Sequence, residues 1–318
     1  PQSFLEQRIP GEFALIDWRG DFGMHMRSAL DVDVERSAAD YAIFHADWDR
    51  HCATAAARLE ELAPDLLLAN IPYLALAAAA RIGLPAVALC SLNWALIYGH
   101  YCRGRPEAAA ILETMAAAYA SARAFLCPAP SMPMPGLGNV QPIGPLARLG
   151  QSRPDELRAR LGIPETRRVA VIAPGGMPLR LSPRDWPVHA DLHWIVPADW
   201  YAARPDMHRF DAVGMGFTDV LASADAVVGK LGYGTVAECA CNGTPLLYVP
   251  RPDWPEEPVL ADWLHRHGRC APVTRAALAA GDLRPALDAL WAQPAPPRPR
   301  PAGAEEAAAA IAAALSRS

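Results

Sequence analysis

The sequence predicts an α/β protein of two domains, each built on a parallel sheet. Three observations carry this. Short apolar runs alternate with helical stretches along the 318-residue chain, which is the order of βαβ units. Two of those runs end in glycine turns, one of which opens straight into a helix. Between two such series lies residues 128–145, P-A-P-S-M-P-M-P-G-L-G-N-V-Q-P-I-G-P, which sustains neither helix nor central strand.

With 52% hydrophobic residues the chain is long enough for two substantial cores. A net charge of −5 gives no electrostatic reason to expect nucleic acid or an anionic membrane as partner. No stretch reaches the ~18 uninterrupted apolar residues of a membrane span, and the N-terminus lacks a basic-then-apolar signal. The expectation is a soluble, cytoplasmic protein. Seven cysteines without a C-x-x-C pair argue against a zinc site or a disulfide framework. Cys239 and Cys241, two apart on an expected helix, diverge too far to share a metal. Among 29 basic residues Lys230 is the only lysine; it reads either as a solvated surface residue or as a phosphate or carboxylate contact.

Taken in order, residues 14–16 read as a strand and residues 20–25 as the loop after it, which holds Asp21 and His25. Residues 38–62 read as one long helix with apolar positions at Tyr41, Phe44, Trp48, Cys52, Ala55 and Leu59; His45 and His51 between them read as surface or satisfied side chains. Residues 64–70 are a buried strand, 75–83 a helix and 85–90 another strand. The strand tips present Asn70, Ser91 and Asn93, polar groups that either line an acceptor pocket or cap their loops. Residues 107–122 are a helix and 124–127 a last short strand. This first domain spans 1–145. The second, 146–302, opens with a helix over 155–161, a strand over 168–173 and a glycine turn with Gly175 and Gly176. Strands over 193–196 and 210–213 follow, then Phe217, which reads as a core residue, at a short helix over 218–224. A proline-rich spacer leads to an alanine helix within 303–318.

The strongest functional signal is residues 225–264. Ala226-Val227-Val228 is a buried strand, ending in a loop with Gly232 and Gly234 before Thr235 opens a helix. Glycine lets backbone approach a ligand, and the free N–H groups and dipole of a helix start favour an anion such as phosphate. Two readings of Glu238 stand. It completes a capping box with Thr235 as N-cap, or it accepts both hydroxyls of a ribose whose diphosphate sits at the helix start. The helix ends at Asn242-Gly243, residues 245–250 are the next strand, and Asp253, Glu256 and Glu257 follow at that strand's carboxyl end.

The order T-V-A-E, N-G-T-P-L-L-Y-V-P, then an acidic loop and a helix resembles the donor-binding half of GT-B glycosyltransferases. The fuller set, with G-K-L-G-Y-G-T, P-E-E-P and S-L-N-W-A-L-I-Y, is similar to the glycosyltransferase-like module of arabinokinases and its free-standing bacterial relatives. The resemblance implies two Rossmann-like domains with parallel sheets facing a cleft. It implies a nucleotide-diphosphate sugar, UDP-linked in many members, as donor and no further cofactor. By it, Gly232, Tyr233, Gly234 and Thr235 hold the diphosphate and Glu238 the ribose, the loop at Phe217 packs against the nucleotide base, and the helix within 303–318 crosses back over the first domain. Glu256 and Glu257 lie where other members place Asp-Gln or Gln-Gln against the sugar, a departure because carboxylates only accept hydrogen bonds when ionised. The first loop often supplies the catalytic base in such enzymes, which singles out Asp21 and His25. The functional expectation is sugar transfer to an unknown acceptor. The alternatives are a nucleotide-sugar-binding module without transfer, and a sugar-nucleotide epimerase or hydrolase.

Overall fold

The computed structural model describes residues 5–6, 9, 11–18, 20–28, 31–174, 181, 183–200 and 203–316. The first half runs α1 (Val34–Ala46), α2 (Trp48–Leu62), β1 (Leu67–Ala69), α3 (Tyr73–Arg81), β2 (Ala86–Leu89), α4 (Trp94–Cys102), α5 (Ala108–Ala120), β3 (Ala124–Pro128) and β4 (Val140–Ile143). The second continues with α6 (Pro154–Leu161), β5 (Arg168–Ala173), β6 (Leu192–Val196), β7 (Met207–Arg209), α7 (Phe217–Ser223), β8 (Ala226–Lys230), α8 (Tyr233–Asn242) and β9 (Leu246–Val249). Then come α9 (Glu257–His267), β10 (Cys270–Pro272), α10 (Arg275–Ala280), α11 (Arg284–Trp291) and α12 (Gly303–Leu315).

All strand pairs in the two sheets are parallel, in the orders β1-β2-β3-β4 and β10-β9-β8-β5-β6-β7. Each sheet is covered on both faces, as parallel sheets require. In the second, alternate residues of one strand feed opposite cores: Val227 packs with α7, α8 and α9, whereas Val228 packs with Trp194, Leu287 and Leu290. Burying a valine or leucine fully contributes about 1.5–3 kcal/mol, so the apolar runs of β5, β8 and β9 lock the register. In the first sheet, α1 to α5 enclose one face, and Ala307 and Ala314 of α12 pack on Val87 and Leu126 of the other. Gly303 N–H donates to the Pro145 carbonyl at 3.1 Å, tying the start of α12 to the segment that joins the halves.

Five local expectations are corrected. Residues 14–16 form no strand; Leu15 is 56% exposed, and without a neighbouring ladder an extended segment has nowhere to place its backbone groups. The long helix is two, broken at Asp47 (φ −111°, ψ 24°), a residue whose short side chain competes with helical bonding. The proline-rich 128–145 stretch contains β4, with Pro142 on the edge of the sheet where no ladder bond is lost. The strand expected at 210–213 is a 3₁₀ turn, Phe210–Ala212, and pairing falls instead on Met207–Arg209. Finally, α8 starts at Tyr233, two residues before the expected Thr235, with Gly232 as N-cap.

Candidate functional site at the carboxyl ends of the sheets

From β5 the second sheet grows one way through β6 and β7 and the other way through β8 and β9. The change of direction lies between β5 and β8, and in open α/β sheets ligands bind at the carboxyl ends of strands at such a point. β8 ends there in Lys230, and Leu231 is fully buried as the anchor of the turn. Gly232 has extended backbone (φ −128°, ψ 147°) and no side chain caps the helix. Among the described residues, a Cβ on Gly232 or Gly234 would meet nothing within 4 Å. The first intrahelical bond runs from Val236 N–H to Gly232 carbonyl, so the N–H groups of Tyr233, Gly234 and Thr235 have no helical acceptor at the positive end of α8.

With the helix starting at Tyr233, Thr235 is its third residue and Glu238 its sixth, which removes the capping box. Glu238 is half-buried, and its carbonyl accepts from Asn242 Nδ2 at 2.8 Å. Lys230 is half-buried; burial pushes its ammonium below the usual lysine range, helped by nearby Arg251 and opposed by Glu256. Among the described residues no carboxylate forms an ion pair with it. Tyr233 is spent on structure: its hydroxyl accepts from Leu146 N–H at 2.9 Å and donates to Ala129 carbonyl at 3.3 Å, pinning the helix start to the junction of the halves.

The acidic loop behaves differently from its sequence reading. Both oxygens of Glu257 accept the N–H of Arg251, at 2.6 and 2.7 Å, and the Arg251 guanidinium donates to Leu231 carbonyl at 2.7 Å. Glu257 therefore closes its own loop and braces the glycine turn. Burial pushes Glu257 up and Arg251 down, each toward its neutral form. Glu256 is buried and faces the first half: Ser91 Oγ donates to it at 3.0 Å and Trp254 Nε1 at 3.3 Å. Asp253 is exposed, and its carbonyl accepts from Tyr101 at 2.6 Å. Trp254 reaches across to pack on the first core.

On that side, Ser91 and Asn93 are both buried, and Asn93 Oδ1 caps α4 by accepting from Leu96 N–H at 2.9 Å. Asn70 is exposed beside Ile71, whose φ of +86° is outlying for a β-branched residue. Asp21 Oδ2 accepts Leu74 N–H at 3.0 Å, capping α3 from 53 residues away where Pro72 supplies no side-chain cap. Burial pushes that carboxyl up to about 6. His25 Nε2 lies 2.7 Å from Asp40, on the outer side of α1. The structure thus brings Lys230, the 232–235 turn, Glu256 and Ser91 toward one place, while Phe217 packs against Phe210 in the core, ring centroids 5.9 Å apart. Gly175 and Gly176 lie outside the described residues. Sequence reading missed Arg251, Tyr101 and Trp254. An arginine between two prolines directly after a strand was the signal for the first; nothing local marks the other two.

No family model matches the chain. The two parallel sheets meeting at their carboxyl ends have the GT-B fold of glycosyltransferases, as comparison with solved structures shows. CalG4, the calicheamicin glycosyltransferase, superposes with a TM-score of 0.57 at 18% identity, over 89% of this chain and 83% of that one. The glycosyltransferase VinC, solved in complex with dTDP, superposes with a TM-score of 0.53 at 18% identity, over 90% and 81%. In sequence the chain is similar to L-arabinokinase of Arabidopsis thaliana, 28% identical over 236 residues; the match covers 72% of this chain but spans only 22% of that protein. Among the described residues no helix is long and apolar enough to cross a membrane.

Proposed function

We propose that the chain takes a nucleoside-diphosphate sugar at the 230–238 turn and helix and transfers the sugar to an acceptor held by the first half. One observation carries the reading. The positive end of α8, its first amides without helical acceptors, lies at the point where the second sheet changes direction, beside a half-buried lysine with which no described carboxylate forms an ion pair. Free amides, a helix dipole and an ammonium stabilise negative charge as it develops on a departing diphosphate. Glu238, one turn further along, is the ribose acceptor in this reading, and Asn70 lies on the acceptor side. Of the base candidates, Asp21 already accepts the α3 amide. His25 Nε2 lies 2.7 Å from an Asp40 oxygen without a well-aligned hydrogen bond between them, which leaves the imidazole as the second candidate for a base.

A specific observation favours a second reading, nucleotide-sugar binding without transfer. Glu256, which would otherwise meet the sugar, is already bonded to Ser91 and Trp254. Thermal shift with UDP, dTDP, GDP and ADP tests the part common to both. A ligand at ~100 times its dissociation constant stabilises by about 2.7 kcal/mol, and no shift with any of the four sinks both readings. Incubation of a responsive nucleotide's sugar conjugates with and without candidate acceptors then separates them, because only a transferase releases nucleotide in step with glycosylated product.

A further inference from the structure

Helix α8 carries the candidate donor site at its start, and its far end, about 15 Å away for ten residues, is built with comparable care. A cavity of about 360 Å³ opens there, at the amino-terminal edge of the second sheet. Three arginines from three separate parts of the chain line it: Arg168 at the start of β5, Arg269 just before β10, and Arg298 in the segment between α11 and α12. Among the described residues none of the three is paired with a carboxylate, in a chain whose other arginines mostly are. Arg168 stacks on Trp291 at 4.1 Å, and Arg269 donates to the Gly243 carbonyl at 3.4 Å. Arg298 lies so close over Gly243 that a Cβ there would be 2.2 Å from its Nε. The one carboxylate in the lining, Asp225, is committed to Arg158 at 2.9 Å and to Val169 N–H at 2.7 Å. Capping the carbonyls of α8 uses at most one or two of the fifteen or so N–H donors that three guanidiniums offer.

We propose that this cleft is a second anion site, for a small phosphorylated or inorganic oxyanion, distinct from the donor site at the other end of the same helix. Planar guanidiniums converging on a polar cavity of this size are matched to phosphate or carboxylate oxygens. The site also touches both connections between the halves. Asn242, in its lining, donates to Arg148 carbonyl at 2.9 Å and accepts Gly150 N–H at 2.9 Å, so it holds the first connection, while Arg298 belongs to the second. A bound oxyanion joins Arg298 to Arg168 and Arg269 and thereby fastens the returning segment onto the second half.

Calorimetric titration of the whole chain with inorganic phosphate and with pyrophosphate, against chloride at matched ionic strength, tests this. Measured in a Lys230→Met background, which weakens the donor site's own hold on the anion, the expected result is saturable binding, reduced about tenfold by adding Arg298→Gln and further by adding Arg168→Gln/Arg298→Gln. Both arginines are exposed, so these variants are expected to fold, and circular dichroism checks it. Absence of saturable binding overturns the proposal. So does binding that survives the double variant and disappears in Lys230→Met, which assigns the anion to the donor site instead. A phosphorylated sugar added in place of phosphate tells whether an organic group improves affinity or the cleft reads the oxyanion alone.

Discussion

Lys230 concentrates the question of what the site does. Its ammonium is half-buried, and burial together with Arg251 lowers its hold on the proton while Glu256 opposes them, so an added anion would stabilise its charged form. Lys230→Met is expected to weaken nucleoside-diphosphate binding about tenfold and to flatten its salt dependence, with little loss of fold stability. Calorimetry at two salt concentrations checks this, and unchanged affinity returns the residue to a solvated role. Asp21 offers a different measurement. Because its carboxyl titrates at about 6 in the folded chain and near 3.8 when free, the folded state holds the extra proton between those values. Its contribution therefore falls as pH rises from about 4 to 6 and is flat above, a swing of at most about 3 kcal/mol. Asp21→Asn keeps an oxygen for the Leu74 amide and should lack this step; chemical denaturation of both proteins at pH 4, 5, 6 and 7 shows whether their difference changes.

At the scale of elements, two glycines, one in β8 and one in the first turn of α8, are held for opposite reasons. Gly229, inside β8, has no room: a Cβ there would be 2.4 Å from the Ala173 carbonyl of β5, so Gly229→Ala should destabilise the fold by several kcal/mol. Gly234, in the first turn of α8, has open space around it. Gly234→Ala should leave stability unchanged or raise it by up to about 1 kcal/mol, since alanine is the better helix former. It should nonetheless weaken nucleotide binding, because the methyl occupies the space before the free amides. Equal effects on stability and binding would show that the empty space is not a ligand's. The elements themselves were largely legible. The apolar runs of β5, β8 and β9 and the Asn242-Gly243 stop of α8 lie where sequence placed them, because continuous burial and a left-handed glycine (φ +76°) leave local signatures. The start of α8 was misread because Thr235 is a good cap by type, whereas the chain turns at Gly232, which needs no side chain to do so. The segment 14–16 was misread because β-propensity does not reveal whether a neighbouring strand exists.

Across the whole molecule, four sets of polar contacts among the described residues hold the halves together: Ser91 to Glu256, Tyr101 to the Asp253 carbonyl, Tyr233 to Leu146 and Ala129, and the exposed ion pair of Arg275 with Asp31. The first two close the cleft over the candidate site and are separate from the connecting segments. Removing both, in Ser91→Ala/Tyr101→Phe, leaves Glu256 short of a partner and should shift the halves apart. An increased radius of gyration in small-angle scattering, reversed by a nucleotide that binds, is the expected result. An unchanged radius would mean that Trp254, packed into the first core, the Tyr233 and Arg275–Asp31 contacts and the two connections suffice.

Sequence alone determined that this is a two-sheet α/β chain, that a glycine turn at 232–235 leads from a buried strand into a helix, and that no charge pattern calls for nucleic acid. These follow from composition, from periodicity and from backbone rules acting over a few residues. Only the tertiary structure decided how the acidic loop is used. Glu257 is turned inward by Arg251, Glu256 is committed across the cleft to Ser91, and Asp21 caps a helix 53 residues later in the chain. A carboxylate's identity is local, but what it accepts depends on which donors the packing of distant elements brings within 3 Å, and no spacing along the chain encodes that.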